Sequence, residues 1–239
     1  MREVIFSQIL NRQPMTRNKH DIMTMNLFDS ISAAELSQEP LCRGAVVLHG
    51  WAVQDEMRLL AALHEVTAEA PFRQMITPGG FSMSVAMTNC GSFGWVTDRT
   101  GYRYDAIDPM TGRAWPQMPD CFSRFATNAA AQAGFDGFMP DACLINRYEP
   151  GARLSLHQDK DERDFDQPIV SVSFGIPAVF LFGDLSRTDK PVRVPLLHGD
   201  VVVWGGPARL RYHGVMPVRE AYHESVGRYR INLTFRKVT

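Results

Sequence analysis

His157, Gln158 and Asp159 set an imidazole and a carboxylate two residues apart, and His213 supplies a second imidazole much further along. In a β-strand, residues i and i+2 point to the same face, so His157 and Asp159 can aim a nitrogen and an oxygen at one point. A later histidine brought back by the fold would complete a two-histidine, one-carboxylate set on one face of a metal. That set leaves positions open, as a non-haem Fe(II) that binds both a co-substrate and O2 requires. His-x-Asp alone carries little, but the tail Arg-Ile-Asn-Leu-Thr-Phe-Arg at 230–236 adds to it. Arg230, Asn232, Thr234 and Arg236 share one strand face, opposite Ile231, Leu233 and Phe235. A guanidinium fork beside a metal with open positions suits a dicarboxylate such as 2-oxoglutarate.

Other polar residues fit this frame with less force. Asn146 and Tyr148 share a face, and both can donate to a carboxylate or ketone oxygen. Ser171 reads as support for the site, and Ser173 as room left for a bulky neighbour. Asp161 would share the face of Asp159 if the strand continued, offering a carboxylate to a cationic substrate; the opposing reading makes 160–164 an exposed charged turn. In His198-Gly199-Asp200, the aspartate reads as a turn residue satisfying backbone amides and His198 as a loop residue. His20, His49, His64 and His223 have no carboxylate at useful spacing.

The elements that must position these groups follow from periodicity and turn signals. Apolar spacing predicts helices over 54–69 and from Asp120, the expected cap, to Gly134, with Phe122, Phe125, Ala126, Ala129 and Ala133 as the second helix's stripe. Residues 44–51 read as a first strand. Short strands are expected at 142–148, 153–159, 168–175, 178–182, 192–197, 200–204, 209–213 and 229–237, a density that suggests a sandwich or jelly roll. Between the helices, 71–118 holds Pro-Gly-Gly, many aromatics including Trp95 and Tyr102, and four arginines. Interleaved rings and cations suit extruded or single-stranded bases; the competing reading is a half-buried β-cover. Residues 1–24 lack apolar patterning and read as a disordered arm or a mis-assigned start, leaving 25–239 as one domain.

Composition narrows the classes. The 239 residues are 45% hydrophobic, enough for a sizeable core, and carry a formal net charge of −1, so any nucleic-acid contact must be a local patch. Four scattered cysteines without a Cys-x-x-Cys read as reduced thiols in a cytoplasmic protein. No stretch is apolar enough to span a membrane, and no signal-peptide core opens the chain. Two readings stand beside that of an Fe(II) site under a base-stacking cover. One is a binding module with a structural metal, for which no closed four-ligand set is visible; the other is the same chemistry on a protein side chain or small molecule.

Phe72-Arg73-Gln74-Met75, Thr77-Pro78-Gly79-Gly80, the stretch Met83 to Gly91, the stretch Asp141 to Tyr148, the stretch Leu154 to Asp161 and Asn232 to Arg236 resemble the AlkB family of Fe(II)- and 2-oxoglutarate-dependent dioxygenases, nearly without gaps from about Met25 onward. The resemblance implies an α+β fold: a double-stranded β-helix (jelly-roll) core at roughly 141–239, flanking helices and a nucleotide-recognition lid at roughly 71–118. It implies Fe(II) on His157, Asp159 and His213, and 2-oxoglutarate on Arg230, Asn146, Tyr148, Asn232 and Arg236. Trp95 and Tyr102 would contact the nucleotide from the lid, with Asp161 and Arg187 over the damaged base. The implied activity is oxidative demethylation of 1-methyladenine and 3-methylcytosine in DNA, and in RNA, by a monomer. Leu181 departs from the family pattern, which has a polar residue there.

Overall fold

The computed structural model describes residues 37–239, so the expectation for 1–24 lies outside the described residues. The described residues open with β1 (Gln38–Cys42) and β2 (Ala45–Leu48), then a 3-10 turn and helix α1 (Glu56–Glu69). Four strands follow: β3 (Arg73–Ile76), β4 (Ser82–Gly91), β5 (Gly94–Asp98) and β6 (Gly101–Asp105). After helix α2 (Asp120–Gln132) come β7 (Ala142–Tyr148), β8 (Leu154–His157), β9 (Ile169–Gly175) and β10 (Ala178–Phe182). The remaining strands are β11 (Val192–Leu196), β12 (Val201–Trp204), β13 (His213–Val215) and β14 (Arg230–Arg236).

The strands form an antiparallel eight-stranded sheet, ordered β1-β2-β12-β9-β14-β7-β4-β3, and a four-stranded sheet, ordered β11-β10-β13-β8. Together they are the double-stranded β-helix core. β14 is central, paired with β7 on one side and β9 on the other. Alternation sorts its side chains: Ile231, Leu233 and Phe235 join Phe122, Phe125 and Val66 in the core beneath the two helices. Arg230, Asn232, Thr234 and Arg236 face the space between the sheets, and each is buried. The second apolar cluster, with Phe180, Phe182, Val202 and Trp204, packs between the sheets behind that space.

Local chemistry moved some boundaries. Asp120 does not cap α2; Pro119 is the N-cap, and its carbonyl accepts the amides of Phe122 and Ser123 at 2.9 and 3.2 Å. Asp120 instead opens the first turn, where its charge suits the helix's positive end. Ala133 lies past the buried stripe as the C-cap, and Gly134 ends the helix at φ +86. Of the strand expected at 209–213 only His213 is paired: a 3-10 turn at Gly206–Ala208, with Pro207 near its start, runs on into a turn at 209–210, and pairing resumes at His213. Leu181, on β10, is half-buried and lies outside the central cavity.

Candidate active site

His157 ends β8 and His213 begins β13; the two are register partners, and their rings lie 4.3 Å apart. Each Nδ1 meets a backbone carbonyl, Ser155 O at 2.9 Å and Arg211 O at 3.1 Å. A carbonyl only accepts, so each Nδ1 carries the hydrogen and each Nε2 keeps its lone pair for a metal. Both Nε2 atoms approach the Asp159 carboxylate at 3.7 Å, and the three potential ligand atoms lie within 4.8 Å of one another. The strand ends at His157, so simple alternation does not place Asp159. Gln158 donates to Leu210 O at 2.6 Å, and Arg209 Nη1 donates to the Asp159 carbonyl at 2.8 Å, fixing the loop from both sides.

The electrostatics favour a charged Asp159 and a neutral His213. Burial would raise the Asp159 carboxyl, but Arg236, His213 and His157 together hold it below the ordinary carboxylate range. Burial, helped by His157, pulls His213 down to about 3, so its imidazole is neutral at physiological pH, the form a metal would bind. Arg236 gives Nε and Nη2 to Asp159 Oδ2, at 2.8 and 2.6 Å. Its fork is therefore spent mainly on the ligand carboxylate, not held free for a co-substrate.

One step along the cavity, the registers Arg230↔Tyr148 and Asn232↔Asn146 bring four polar side chains of β14 and β7 together. Asn232 is anchored, donating to Ser171 Oγ at 2.8 Å and Val172 O at 2.9 Å. Arg230 lies with its guanidinium carbon 5.0 Å from the Tyr148 ring centre and donates through Nη2 to Ser173 Oγ at 3.0 Å. Ser173 is thus a brace and not merely a space-maker. The Nε and Nη1 atoms of Arg230 and Oδ1 of Asn146 are buried without a partner. Burial pulls the Arg230 pKa down, and the neighbouring Tyr148 phenol offsets this only in part. Unpaired buried donors of this kind call for an anion, and a planar guanidinium suits a carboxylate.

Comparison with known proteins agrees with this geometry. The family model described as "2OG-Fe(II) oxygenase superfamily" matches residues 44–236. The chain belongs to this superfamily. The oxygenase is 54% identical over 211 residues to "Alpha-ketoglutarate-dependent dioxygenase AlkB" of Escherichia coli strain K12, covering 88% of this chain and 98% of that protein. It is 56% identical over 200 residues to the Salmonella typhimurium protein of the same name, covering 84% and 93%. Among solved structures, that titled "The structure of OsALKBH1" superposes with a TM-score of 0.73 at 28% identity, covering 84% of this chain and all of that one. The oxygenase is an Fe(II)- and 2-oxoglutarate-dependent dioxygenase. The donor set and the unpaired face of Arg230 fit those two groups.

The oxygenase cavity has a volume of about 680 Å³, and every site residue expected from the sequence lines it. At its rim, Trp95 stacks on Tyr102 with centroids 5.7 Å apart and planes 21° apart. The strand does not continue to Asp161, yet Asp161 Oδ2 reaches the rim and accepts the Trp95 indole N–H at 3.0 Å. Asp161 therefore faces the cavity, not only a solvated turn. Arg187 is exposed at the same mouth.

Sequence reasoning passes over Glu162 and Arg209. Glu162 is buried, accepts Tyr104 OH at 2.7 Å, and meets Arg209 at 3.0 Å and Arg236 at 3.3 Å. Inside a run that looks like a charged turn, no local signal separates it from its exposed neighbours. Trp204 also escapes such reasoning; its ring lies 5.0 Å from that of His213 at 60°. A second His/carboxylate cluster, Glu56, His198 and His223, has atoms close enough for a metal. There, however, Nδ1 of His198 and of His223 accept backbone amides, Gly175 N at 3.0 Å and Ser225 N at 3.3 Å. The hydrogens then sit on Nε2, facing Glu56 in the case of His198, so neither Nε2 lone pair is free for a metal. As expected for a turn residue, Asp200 accepts the amides of Gly50 and Leu197, at 2.9 and 2.8 Å.

Proposed function

We propose that this dioxygenase oxidatively demethylates N-alkylated bases, 1-methyladenine and 3-methylcytosine, in DNA and RNA. The relatives support a nucleic-acid substrate: those with more distant sequences include "Nucleic acid dioxygenase ALKBH1" of Mus musculus and "tRNA demethylase abh1" of Schizosaccharomyces pombe. The observation that carries the reading is the rim: an aromatic platform of Trp95 and Tyr102, bonded to the carboxylate of Asp161, over the cavity that holds the iron ligands.

Bound Fe(II) would supply oxidation of the methyl C–H by O2, with 2-oxoglutarate converted to succinate and CO2. His157, Asp159 and His213 would hold the ion, and three protein donors would leave it room for the co-substrate. Arg230 takes the far carboxylate of 2-oxoglutarate, with Tyr148 beneath it and Ser173 fixing its angle. Asn146 and Asn232 orient the remaining oxygens. Trp95 and Tyr102 stack on the extruded nucleotide, and Arg187 meets the strand at the cavity mouth. Asp161 faces a base that methylation has left cationic, and a base that cannot pair costs less to flip. The methyl leaves as formaldehyde once hydroxylated, and the ring nitrogen recovers its electron pair.

Among the described residues no helix is long and apolar enough to cross a membrane; we infer a monomer acting in the cytoplasm. The test is formaldehyde release from an oligonucleotide carrying one 3-methylcytosine, with and without 2-oxoglutarate. Release that requires 2-oxoglutarate and the lesion supports the reading. Succinate formation indifferent to the lesion, with no formaldehyde, would sink it.

A further inference from the structure

The lid hairpin is a sheet of its own: β5 and β6 pair with each other and with no other strand. Side chains must therefore fix it. It packs over β3, β4 and β7; β3 holds one edge of β4 from Ser82 to Met87, and β7 holds the other from Ala86 to Gly91. The chain leaves β4 at Gly91, where φ is +115, and returns as β5.

Asn89 meets it there. Val85 and Met87 fill the inner face of β4 with apolar groups, and alternation puts Asn89 on the same face. Asn89 is fully buried at 0% exposure. Its Oδ1 accepts the Trp95 backbone N–H at 3.0 Å, and its Nδ2 donates to the Trp95 carbonyl at 3.1 Å. One amide side chain supplies both halves of a strand pairing, and it does so to the residue whose indole forms the rim.

We propose that Asn89 is the positioning residue for the substrate platform. It fixes the main chain of Trp95, so that the indole stands at stacking height against Tyr102 with its N–H on Asp161. The proposal rests on the reading of Trp95 as a base platform. An amide has the required donor and acceptor side by side at any pH, which a carboxyl matches only when protonated. An ionised aspartate in its place would keep the acceptor but turn a second oxygen on the Trp95 carbonyl; serine, which cannot reach both, would leave one of the two backbone groups unpaired at any pH. Asn89 touches neither the iron ligands nor Arg230, so its loss belongs in the oligonucleotide parameters and not in those of the co-substrate.

The experiment compares Asn89→Asp, Asn89→Ser, Trp95→Ala and the Asn89→Asp/Trp95→Ala pair in the full chain with Fe(II) and 2-oxoglutarate. The readouts are anisotropy binding of a fluorescent oligonucleotide carrying 3-methylcytosine, KM and kcat for formaldehyde release, and 2-oxoglutarate affinity. Asn89→Asp is expected to weaken oligonucleotide binding and raise KM by about tenfold, with co-substrate affinity held. Trp95→Ala gives a comparable loss, and the pair shows little beyond Trp95→Ala alone, because the two act through one element. The milder Asn89→Ser keeps the test open should the aspartate not fold, with a smaller loss of the same pattern. Additive losses in the pair, or unchanged oligonucleotide affinity in both Asn89 variants while Trp95→Ala weakens it, would overturn the proposal alone. Unchanged affinity in Trp95→Ala would overturn the platform reading and the proposal with it.

Discussion

Replacing Arg230 separates two consequences of one buried cation. The residue is 2% exposed, its Nη2 is committed to Ser173, and its Nε and Nη1 have no partner. A hydrogen bond to a charged group contributes about 1.5–3 kcal/mol, so loss of the fork's grip should weaken 2-oxoglutarate by roughly ten- to a hundredfold. Arg230→Lys keeps the charge but not the planar fork, and it should show this loss. Ser173→Ala removes only the brace, about 1 kcal/mol, or roughly fivefold. Arg230→Met should go the other way in stability. Without 2-oxoglutarate the guanidinium is desolvated and unpaired, so an apolar residue of similar length relieves strain on the fold. The co-substrate-free Arg230→Met protein should melt about 2–4 °C above the parent per kcal/mol relieved. Added 2-oxoglutarate should raise the parent's Tm by binding the native state, and leave the variant's unchanged. Calorimetry with and without 2-oxoglutarate reads both effects. Parent-like co-substrate affinity in Arg230→Lys, or a lowered Tm with a preserved ligand shift in Arg230→Met, would refute the reasoning.

Further outcomes follow from the same geometry. Asp159→Asn should lose iron and turnover and destabilise the metal-free fold by about 1–3 kcal/mol, since Arg236 loses its nearest counter-charge at 2.6 Å and keeps Glu162 at 3.3 Å; parent-like iron content after dialysis would exclude the ligand role. Asp161→Asn keeps an acceptor for the Trp95 indole but drops the charge. It should cost cationic lesions up to about fivefold relative to 1-methylguanine, the scale of an exposed ion pair, whereas Asp161→Ala should lower all lesions; equal losses on charged and neutral bases in the asparagine variant would count against electrostatic selection. Burial favours a neutral Asp108, but two 2.6 Å bonds from Arg73 and the Met110 amide hold its carboxyl below the ordinary range. A depressed folded pKa stabilises above the unfolded pKa, about 3.9, and the contribution is lost as pH falls through the folded value. Protection of the amides at 105–115, corrected for the intrinsic exchange rate at each pH, should therefore be flat from neutral pH to about 4 and fall below it; a fall near pH 6 would point to a different group.

What can be read from the residues is set by period. Alternation at 230–236 and at 142–148 is enough to put Arg230 with Asn232, and Asn146 with Tyr148, on shared faces, because a strand's two faces are fixed by geometry. Alternation fails where the strand stops. Asp159 and Asp161 lie beyond β8, and their positions depend on Gln158, Arg209 and Trp95, through bonds that span between 50 and 66 residues of chain. Glu162 cannot be told from Asp161 for the same reason: its burial depends on Arg209 and Arg236, which arrive from elsewhere. Ser173 misleads because a small hydroxyl beside a bulky neighbour looks alike whether it yields space or accepts a bond.

The place of β14 has a consequence for how the protein is made. β7 and β9 have no backbone bonds to each other; the strand between them comes later in the sequence than every other described strand. During synthesis the two halves of the large sheet must wait, each with an open edge, until residues 230–236 have emerged and can zip between them. Such long-range pairing is slow and leaves strand edges exposed to association. The same insertion delivers Arg230 and Arg236. A nascent or prematurely ended chain therefore carries His157, Asp159 and His213 without Arg230, the proposed grip for the co-substrate, and without Arg236, the partner of Asp159, and the proposed catalytic centre is completed in the same event that closes the sheet.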